Sequence, residues 1–215
     1  MKVKWLGHAS FLITAEDGTK IITDPYATGM GINYEEIREA ADVVTVSHDH
    51  ADHNNVDAIA GNPDIVKGVG THEAKGIQFK GVASYHDDTE GSQRGPNTML
   101  CFTVDEVRVC HLGDLGHPLT NEQANEIGEV DVLLTPVGGF FTIDPLLATD
   151  VLEKLKPRVA IPMHFSTEKC AYPLSGVEDF LKGKSNVRRL DATEVEYTRD
   201  SLPSNTEVVV LKHAL

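Results

Sequence analysis

The stretch VSHDHADHNN, residues 46–55, begins at the last residue of the apolar run DVVTV, residues 42–46. It places three histidines and two aspartates within six positions: His48, Asp49, His50, Asp52 and His53. Crowded imidazoles and carboxylates gain nothing as a solvated surface, but they are the ligands that divalent cations take from proteins. The stretch therefore predicts a metal site at the end of a buried strand, with a loop of hydrogen-bonded histidines as the alternative.

The spacing within this stretch predicts room for more than one ion. His48 and His50 are two residues apart, so both rings point to the same side of an extended segment. Asp52 and His53 follow where the chain is expected to turn into a helix over 54–61, so they approach from another direction. Two pairs of nitrogen and oxygen ligands exceed the needs of one tetrahedral ion with an open position, and ligands without thiolate suit Zn, Mn or Fe.

Further ligands are expected where other strands end. His86 ends GVASYHD, Asp114 ends EVRVCHLGD, and His164 stands at the end of RVAIPMHF. Each follows an apolar run and precedes a loop. Because open α/β architectures build their sites at the carboxyl ends of strands, these three side chains are candidates for the same site.

Short β-branched runs bounded by Gly, Pro, Asp or Asn predict strands along the whole chain. Helical patterns lie between some of them, at residues 33–42, 120–128, 144–157 and 175–184. The two halves also resemble each other weakly, since residues 11–24 and 100–114 both read as strand, turn, strand and acidic residue. Mixed strands with helices in both halves predict an α/β fold, an αββα sandwich of two sheets with helices outside.

Composition limits the function classes. The 215 residues carry a formal net charge of −14, which argues against a nucleic-acid partner because such binding relies on clustered Lys and Arg. No run approaches the roughly 20 apolar residues of a membrane span. The three cysteines show no disulfide framework and indicate reduced thiols. We expect one domain over residues 1–215, a cytoplasmic location and a small-molecule substrate, and a homo-oligomer stays open.

The ordered motifs resemble those of the metallo-β-lactamase superfamily. They are HDHADH at 48–53, Asp24 in TDP, His86, Asp114 in HLGD and His164 in PMHF. More narrowly, the chain is similar to the small single-domain metal-dependent hydrolases related to ascorbate-phosphate lactonase. The resemblance implies the four-layer αββα sandwich of that superfamily. It also implies two divalent metal ions, Zn²⁺ in the first place, with Mn²⁺, Fe or Ni²⁺ as alternatives.

The resemblance further implies a role for each matching residue. The first ion would be held by His48, His50 and His86, the second by Asp52, His53 and His164, with Asp114 bridging both. Asp24 would fix ligands of the 48–53 loop by hydrogen bonds. A hydroxide shared by the two ions would be the nucleophile, with Asp52 and Asp114 as the catalytic carboxylates. The leaving-group acid is not identified.

Four other residues are weaker candidates. His8 either lines the site or packs in the core, and His111 is expected to support the site by a hydrogen bond rather than to bind metal. Arg94 and Asn97 lie in the polar loop 86–98 that starts at His86, which makes them candidates for substrate contact.

The leading functional hypothesis is a dinuclear metal-dependent hydrolase of a small ester, lactone or phosphodiester. Two alternatives stay open, a diiron redox protein and a metal-binding protein without turnover. The substrate itself does not follow from the metal ligands, because loop shape determines it.

Overall fold

The computed structural model describes residues 1–215 and contains fourteen strands and three α-helices. The strands are β1 Lys2–Gly7, β2 Ser10–Thr14, β3 Lys20–Thr23, β4 Val43–Val46, β5 Asp64–Lys67, β6 Gly70–Ala74, β7 Ile77–Tyr85, β8 Pro96–Val104, β9 Val107–His111, β10 Val132–Pro136, β11 Val159–Met163, β12 Val187–Arg189, β13 Glu194–Glu196 and β14 Glu207–Val210. The helices are α1 Asn121–Ile127, α2 Pro145–Leu155 and α3 Val177–Leu181, and short 3-10 turns cover Val56–Ala58 and Arg199–Ser201.

The strands form two mixed sheets. One has six strands in the order β13-β1-β2-β3-β4-β5, and the other has eight in the order β12-β14-β11-β10-β9-β8-β7-β6. The sheets share one connectivity, because an antiparallel hairpin (β2–β3 or β8–β9) is followed in each by a parallel strand (β4 or β10). This common connectivity explains the similarity between residues 11–24 and 100–114.

Apolar side chains fill the space between the sheets. Val3, Trp5 and Phe11 enter this core from the six-stranded sheet, and Phe79 and Leu134 enter it from the eight-stranded sheet. None of the five is more than 2% exposed. Full burial of a side chain of this size contributes about 1.5–3 kcal/mol, so this core is the main source of stability for the pair of sheets.

The opposite face of the six-stranded sheet is covered without a regular helix. Leu12 and Val44 on that face pack against Tyr34 and Ile37. The sequence predicts a helix over residues 33–42, and this prediction is wrong, since the segment is irregular.

Distant partners explain why this segment is not helical. The Asn33 N–H donates to the Lys169 carbonyl at 2.8 Å, and the Ala41 N–H donates to the Ala60 carbonyl at 3.0 Å. In a helix the Ala41 N–H would pair with the residue 37 carbonyl, and the Asn33 bond ties the start of the segment to a distant loop, so tertiary contacts override a favourable local pattern. The helix expected over residues 54–61 is likewise reduced to the single 3-10 turn.

The three α-helices belong to the eight-stranded side. Helix α2 connects the parallel neighbours β10 and β11, and it begins where the sequence predicts, because the Asp144 carboxylate accepts the N–H groups of Leu146 and Leu147 at 3.0 and 2.8 Å. Helix α1 begins after Thr120, where the predicted pattern begins, and the Thr120 side chain accepts the Gln123 N–H; α3 is shorter than predicted and has no side-chain cap. None of the helices combines the length and apolar character needed to cross a membrane.

The predicted sandwich is confirmed, with an irregular segment in place of one helical layer. The strands that the sequence pattern does not reveal are short and polar, such as β5 and β6 at the sheet edges. Edge strands have one partner and little buried surface, so they carry little hydrophobic periodicity.

Candidate metal centre

The seven predicted ligands converge at one edge of the sandwich. Each follows the carboxyl end of a strand: His48, His50, Asp52 and His53 come after β4, His86 after β7, Asp114 after β9 and His164 after β11. The strands are fixed by the apolar core, so the ligands from four separate parts of the chain are held by rigid elements. Asp114 lies in the middle of the group.

The Asp114 carboxylate is surrounded by imidazole nitrogens. Its Oδ2 atom lies 3.2 Å from Nε2 of His53, 3.2 Å from Nε2 of His86 and 3.3 Å from Nε2 of His164. The Nε2 atom of His48 is 4.0 Å away. Two ligand atoms that share a tetrahedral zinc ion at about 2.1 Å lie about 3.4 Å apart, so these spacings fit ligands that share an ion.

Unpartnered polar atoms also mark the site. The Oδ1 atom of Asp114 and the Nε2 atom of His53 are buried and form no hydrogen bond. A buried polar atom without a partner costs about 1–3 kcal/mol, and native structures contain few of them. The donor set therefore fits metal ions as the missing partners.

The histidines and carboxylates separate into two groups. In the first, Nε2 of His48 lies 3.2 Å from Nδ1 of His50, and His86 completes the group. The second contains Asp52, His53, His164 and also His8, with one ligand atom of each residue within 4.8 Å of the others. Asp114 lies between the groups, because its Oδ2 atom approaches His86 of the first and both His53 and His164 of the second.

Asp24 supports the site from behind. Its Oδ1 accepts the Ser47 N–H at 2.8 Å, and its Oδ2 accepts the Ser47 hydroxyl at 2.5 Å and the His53 Nδ1–H at 2.9 Å. Burial alone would raise the pKa of Asp24, but the imidazoles of His111 and His53 lower it, so the carboxylate is ionised and only accepts. The His53 Nδ1 therefore carries the proton, and the Nε2 lone pair is free to bind metal.

Ser47 extends the same control to a second histidine. Because Asp24 can only accept, the Ser47 hydroxyl donates to it, and the serine oxygen then accepts the His48 Nδ1–H at 2.9 Å. The lone pair of His48 is thereby placed on Nε2, which is the atom that lies near His50 and Asp114. One carboxylate thus fixes the tautomer of a histidine in each group.

His111 and Asn97 hold the turn that carries Asp114. The His111 Nε2–H donates to the Ala9 carbonyl at 2.8 Å, and its Nδ1 accepts the Gly113 N–H at 3.1 Å, so both ring nitrogens are occupied and metal binding is excluded. The Asn97 side-chain oxygen accepts the Asp114 N–H at 3.0 Å. Asn97 is 1% exposed and lies behind the site, so it does not face the cavity where substrate would bind.

Burial keeps His48 and His8 neutral. Desolvation, together with nearby His53, lowers the pKa of His48 to about 3, and desolvation with nearby His164 lowers the pKa of His8 to about 4. Desolvation would raise the pKa of Asp114, but the surrounding imidazoles hold it well below its usual value. Desolvation would lower the pKa of His53 as well, but the Asp114 and Asp24 carboxylates raise it well above its usual value, so a metal ion that binds here would displace a proton from His53.

A cavity of about 270 Å³ opens above the cluster. It is lined by His50, Asp52, His86, Arg94, Asp114, Phe141, His164 and Tyr172. The Arg94 guanidinium lies 5.6 Å from the centre of the Phe141 ring, and Phe141 meets Tyr172 edge-on at 5.3 Å between ring centres. The volume of this cavity lies just below the usual range of small-molecule pockets, and the cavity wall combines one cation with two aromatic rings.

Asp87 gives the loop that carries Arg94 a fixed shape. Its carboxylate accepts the N–H groups of Thr89, Gly91, Gln93 and Arg94 at 2.7–3.0 Å. Only the backbone of Arg94 is tied down in this way, and its guanidinium forms no ion pair with a carboxylate of the loop. The charge of Arg94 is therefore available to the cavity.

Comparison with known proteins identifies the fold and the family. A sequence model described as a beta-lactamase superfamily domain matches residues 2–164. The chain belongs to the metallo-β-lactamase superfamily. It is 33% identical over 215 residues to a UPF0173 metal-dependent hydrolase of Archaeoglobus fulgidus, a match covering 85% of this chain and 90% of the relative. A UPF0173 metal-dependent hydrolase of Pelotomaculum thermopropionicum is 32% identical, covering 91% and 96%.

A solved structure gives the same family. The crystal structure of a Thermotoga maritima protein, described as a zinc-dependent hydrolase of the metallo-β-lactamase superfamily, superposes with a TM-score of 0.81 at 38% identity. The match covers 98% of this chain and 97% of that chain. The chain is therefore a member of a family of metal-dependent hydrolases, and its histidine and aspartate cluster is the part able to bind metal.

The sequence alone does not identify two residues of this site, Ser47 and Tyr172. Ser47 directly precedes the first histidine of the motif, and a hydroxyl between a buried strand and a metal ligand is a signal that could have identified it. Tyr172 follows His164 by eight residues in a segment without regular structure, and no local pattern points to it. The Tyr172 ring packs directly over Gly31, which has no side chain in its way, and this contact between distant parts of the chain places the ring at the cavity.

Proposed function

We propose that the chain is a dinuclear metal-dependent hydrolase of a small anionic ester, lactone or phosphodiester. The first ion is held by His48 through Nε2, His50 through Nδ1 and His86, and the second by Asp52, His53 and His164. The observation that carries the proposal is the position of Asp114 Oδ2, within 3.2–3.3 Å of histidine nitrogens from both groups. Each group also supplies at least three candidate ligands of its own, which is enough to hold one ion on each side of Asp114.

When bound, two divalent ions supply a nucleophilic hydroxide at neutral pH and polarise the oxygen of a carbonyl or phosphoryl group. The chain's own part is to hold the ligands in place before substrate arrives. Asp24 and Ser47 fix the tautomers of His53 and His48, and Asp114 supplies a buried negative charge between the two groups. Such a prearranged charge is effective because the buried site excludes water.

The position of Arg94 supports the proposal that the substrate is anionic. The chain has a net charge of −14, so a cation with no paired carboxylate at the mouth of the site is a notable exception. A guanidinium binds a carboxylate or phosphate through paired, charge-assisted hydrogen bonds. Phe141 and Tyr172 add an aromatic wall for the apolar part of the same molecule.

Metal titration tests the proposal directly. Chelator-treated protein is expected to take up two divalent ions per chain and to regain hydrolysis of at least one member of a panel of lactones, phosphodiesters and esters. Saturation at one ion per chain would contradict the dinuclear site. Two bound ions without turnover on any substrate would favour a metal-binding protein, and the optical spectrum of an oxo-bridged diiron centre would favour the redox alternative.

Replacement of Arg94 tests the substrate class. We expect Arg94→Ala to lower kcat/KM about 10- to 100-fold for anionic substrates and much less for neutral esters, since hydrogen bonds to charged groups contribute about 1.5–3 kcal/mol. Arg94→Lys keeps the charge but loses the paired geometry, so it should fall between the two. The matched control is Arg38→Ala, because the Arg38 side chain is 85% exposed and is not part of the cavity lining. Equal small losses for both substrate classes, at unchanged metal content, would remove Arg94 from the site.

A further inference from the structure

His8 is held against the second group of ligands by its own backbone. It follows β1 with a left-handed φ of 51°, a conformation that side chains rarely adopt. Its carbonyl accepts the indole N–H of Trp5 at 3.1 Å and the backbone N–H of His164 at 3.1 Å. The ring of His8 is thereby placed 4.1 Å from the ring of His164, measured between centres.

The polar atoms of the His8 ring have no partner in the chain. The residue is 1% exposed, and neither Nδ1 nor Nε2 forms a hydrogen bond. The Nε2 atom lies 3.3 Å from Oδ2 of Asp52, but the two are not aligned as donor and acceptor. His53 shows the same combination, with a buried Nε2 near Asp114 that forms no hydrogen bond.

We infer that His8 is a further protein ligand of the second ion, through Nε2, beside Asp52, His53 and His164. The four residues form one group in which a ligand atom of each lies within 4.8 Å of the others. This inference rests on the proposed dinuclear function. It was not part of the expectation from the sequence, where His8 was either a residue lining the site or a core residue.

The additional ligand makes the two metal positions unequal. With Asp114 shared, the first ion has three histidines and one carboxylate, whereas the second has three histidines and two carboxylates. Zinc in proteins is most often four-coordinate, while Mn²⁺ and Fe²⁺ accept six ligands. The second position therefore suits an ion of higher coordination number, and the chain is expected to prefer different metals at its two positions.

A different role for His8 makes a distinguishable prediction. If His8 instead donates an N–H to Asp52, it is a positioning residue that holds that carboxylate, and its ring does not touch the ion. Both roles would weaken metal binding when His8 is replaced. Only the ligand role places a metal nucleus one bond away from the Nε2 atom of His8.

The decisive experiment uses the unmodified chain, labelled with ¹⁵N-histidine and loaded with ¹¹³Cd²⁺. We expect two cadmium resonances and a scalar coupling between the ¹⁵Nε2 of His8 and one of them, the same one that couples to His53 and His164. Two resonances without a coupling to His8 would overturn this inference and leave the proposed function intact. A single resonance coupled only to His48, His50 and His86 would overturn both.

Variants provide an independent measurement. His8→Gly suits the left-handed backbone, and His8→Asn tolerates it, so neither change adds strain there. Each is expected to weaken binding of the second ion more than 100-fold, beyond the roughly 10- to 100-fold typical of residues that only support a ligand. Binding of the first ion should stay unchanged, and His72→Ala, which belongs to neither group of candidate ligands, is the matched control. Second-ion affinity equal to that of the unmodified chain, with equal thermal unfolding of the chelated proteins, would contradict the ligand role.

Discussion

Asp114→Ala is expected to lose at least one metal ion per chain and to lower kcat/KM by about 100- to 10,000-fold. The Asp114 carboxylate is 2% exposed, and the imidazoles of His164 and His53 approach its negative charge closely. Removing one partner of a buried charged pair typically costs about 3–5 kcal/mol, and each 1.36 kcal/mol corresponds to a factor of ten in rate or affinity. Elemental analysis after dialysis and steady-state kinetics measure the two effects.

A buried carboxylate outside the site provides the control for this change. Asp131 accepts hydrogen bonds from the Arg108 backbone and the Arg199 side chain, so Asp131→Ala should lower stability while both ions stay bound. Circular dichroism melting curves of both variants separate loss of fold from loss of metal. Metal content equal to that of the unmodified protein in Asp114→Ala would show that Asp114 does not bridge the ions.

Asp24→Ala is expected to weaken both ions, by about 10- to 100-fold each, although Asp24 itself binds neither. The reason is that its carboxylate fixes His53 directly and His48 through Ser47, and supporting residues of this kind typically contribute that much to metal affinity. The change also leaves the Ser47 N–H and the His53 Nδ1–H unpaired, at about 1–3 kcal/mol of folding free energy each. Competition with a chromogenic chelator measures both affinities.

Ser47→Ala separates the effect of Asp24 on His48, which acts through Ser47, from its direct effect on His53. The variant removes the hydroxyl between Asp24 and His48 but leaves the bond from His53 to Asp24 in place. It should therefore weaken the first ion and spare the second. Equal weakening of both ions in Ser47→Ala, or unchanged affinities in Asp24→Ala, would refute the tautomer argument.

The sequence predicts which side chains meet at this edge of the sandwich because the candidate ligands stand at strand ends. His86, Asp114 and His164 are far apart in the chain, yet each stands after an apolar run, and parallel strands bring such positions to one edge. The helix α2 is predictable for a similar local reason, since Asp144, Pro145 and Pro157 mark its ends. Where local interactions determine the structure, the sequence alone predicts it.

Predictions fail where tertiary contacts decide. The segment 33–42 has a helical pattern, but its backbone pairs with Lys169 and Ala60, which are distant in sequence. Asn97 stands in a polar stretch and suggests substrate contact, yet the fold places it under Asp114. The role of His8 depends on the atoms that its ring meets across the sandwich, and no spacing in the chain encodes that contact.

The hydrogen bonds that Asp24 accepts from Ser47 and His53 bear on how the protein acquires metal. These bonds join protein groups only, so the ring orientations follow from folding and do not wait for an ion. A metal ion that binds here would therefore meet imidazoles whose tautomers protein groups already fix. We expect the metal content of the protein to depend on the ions that the cell supplies as well as on the ligand geometry of the site.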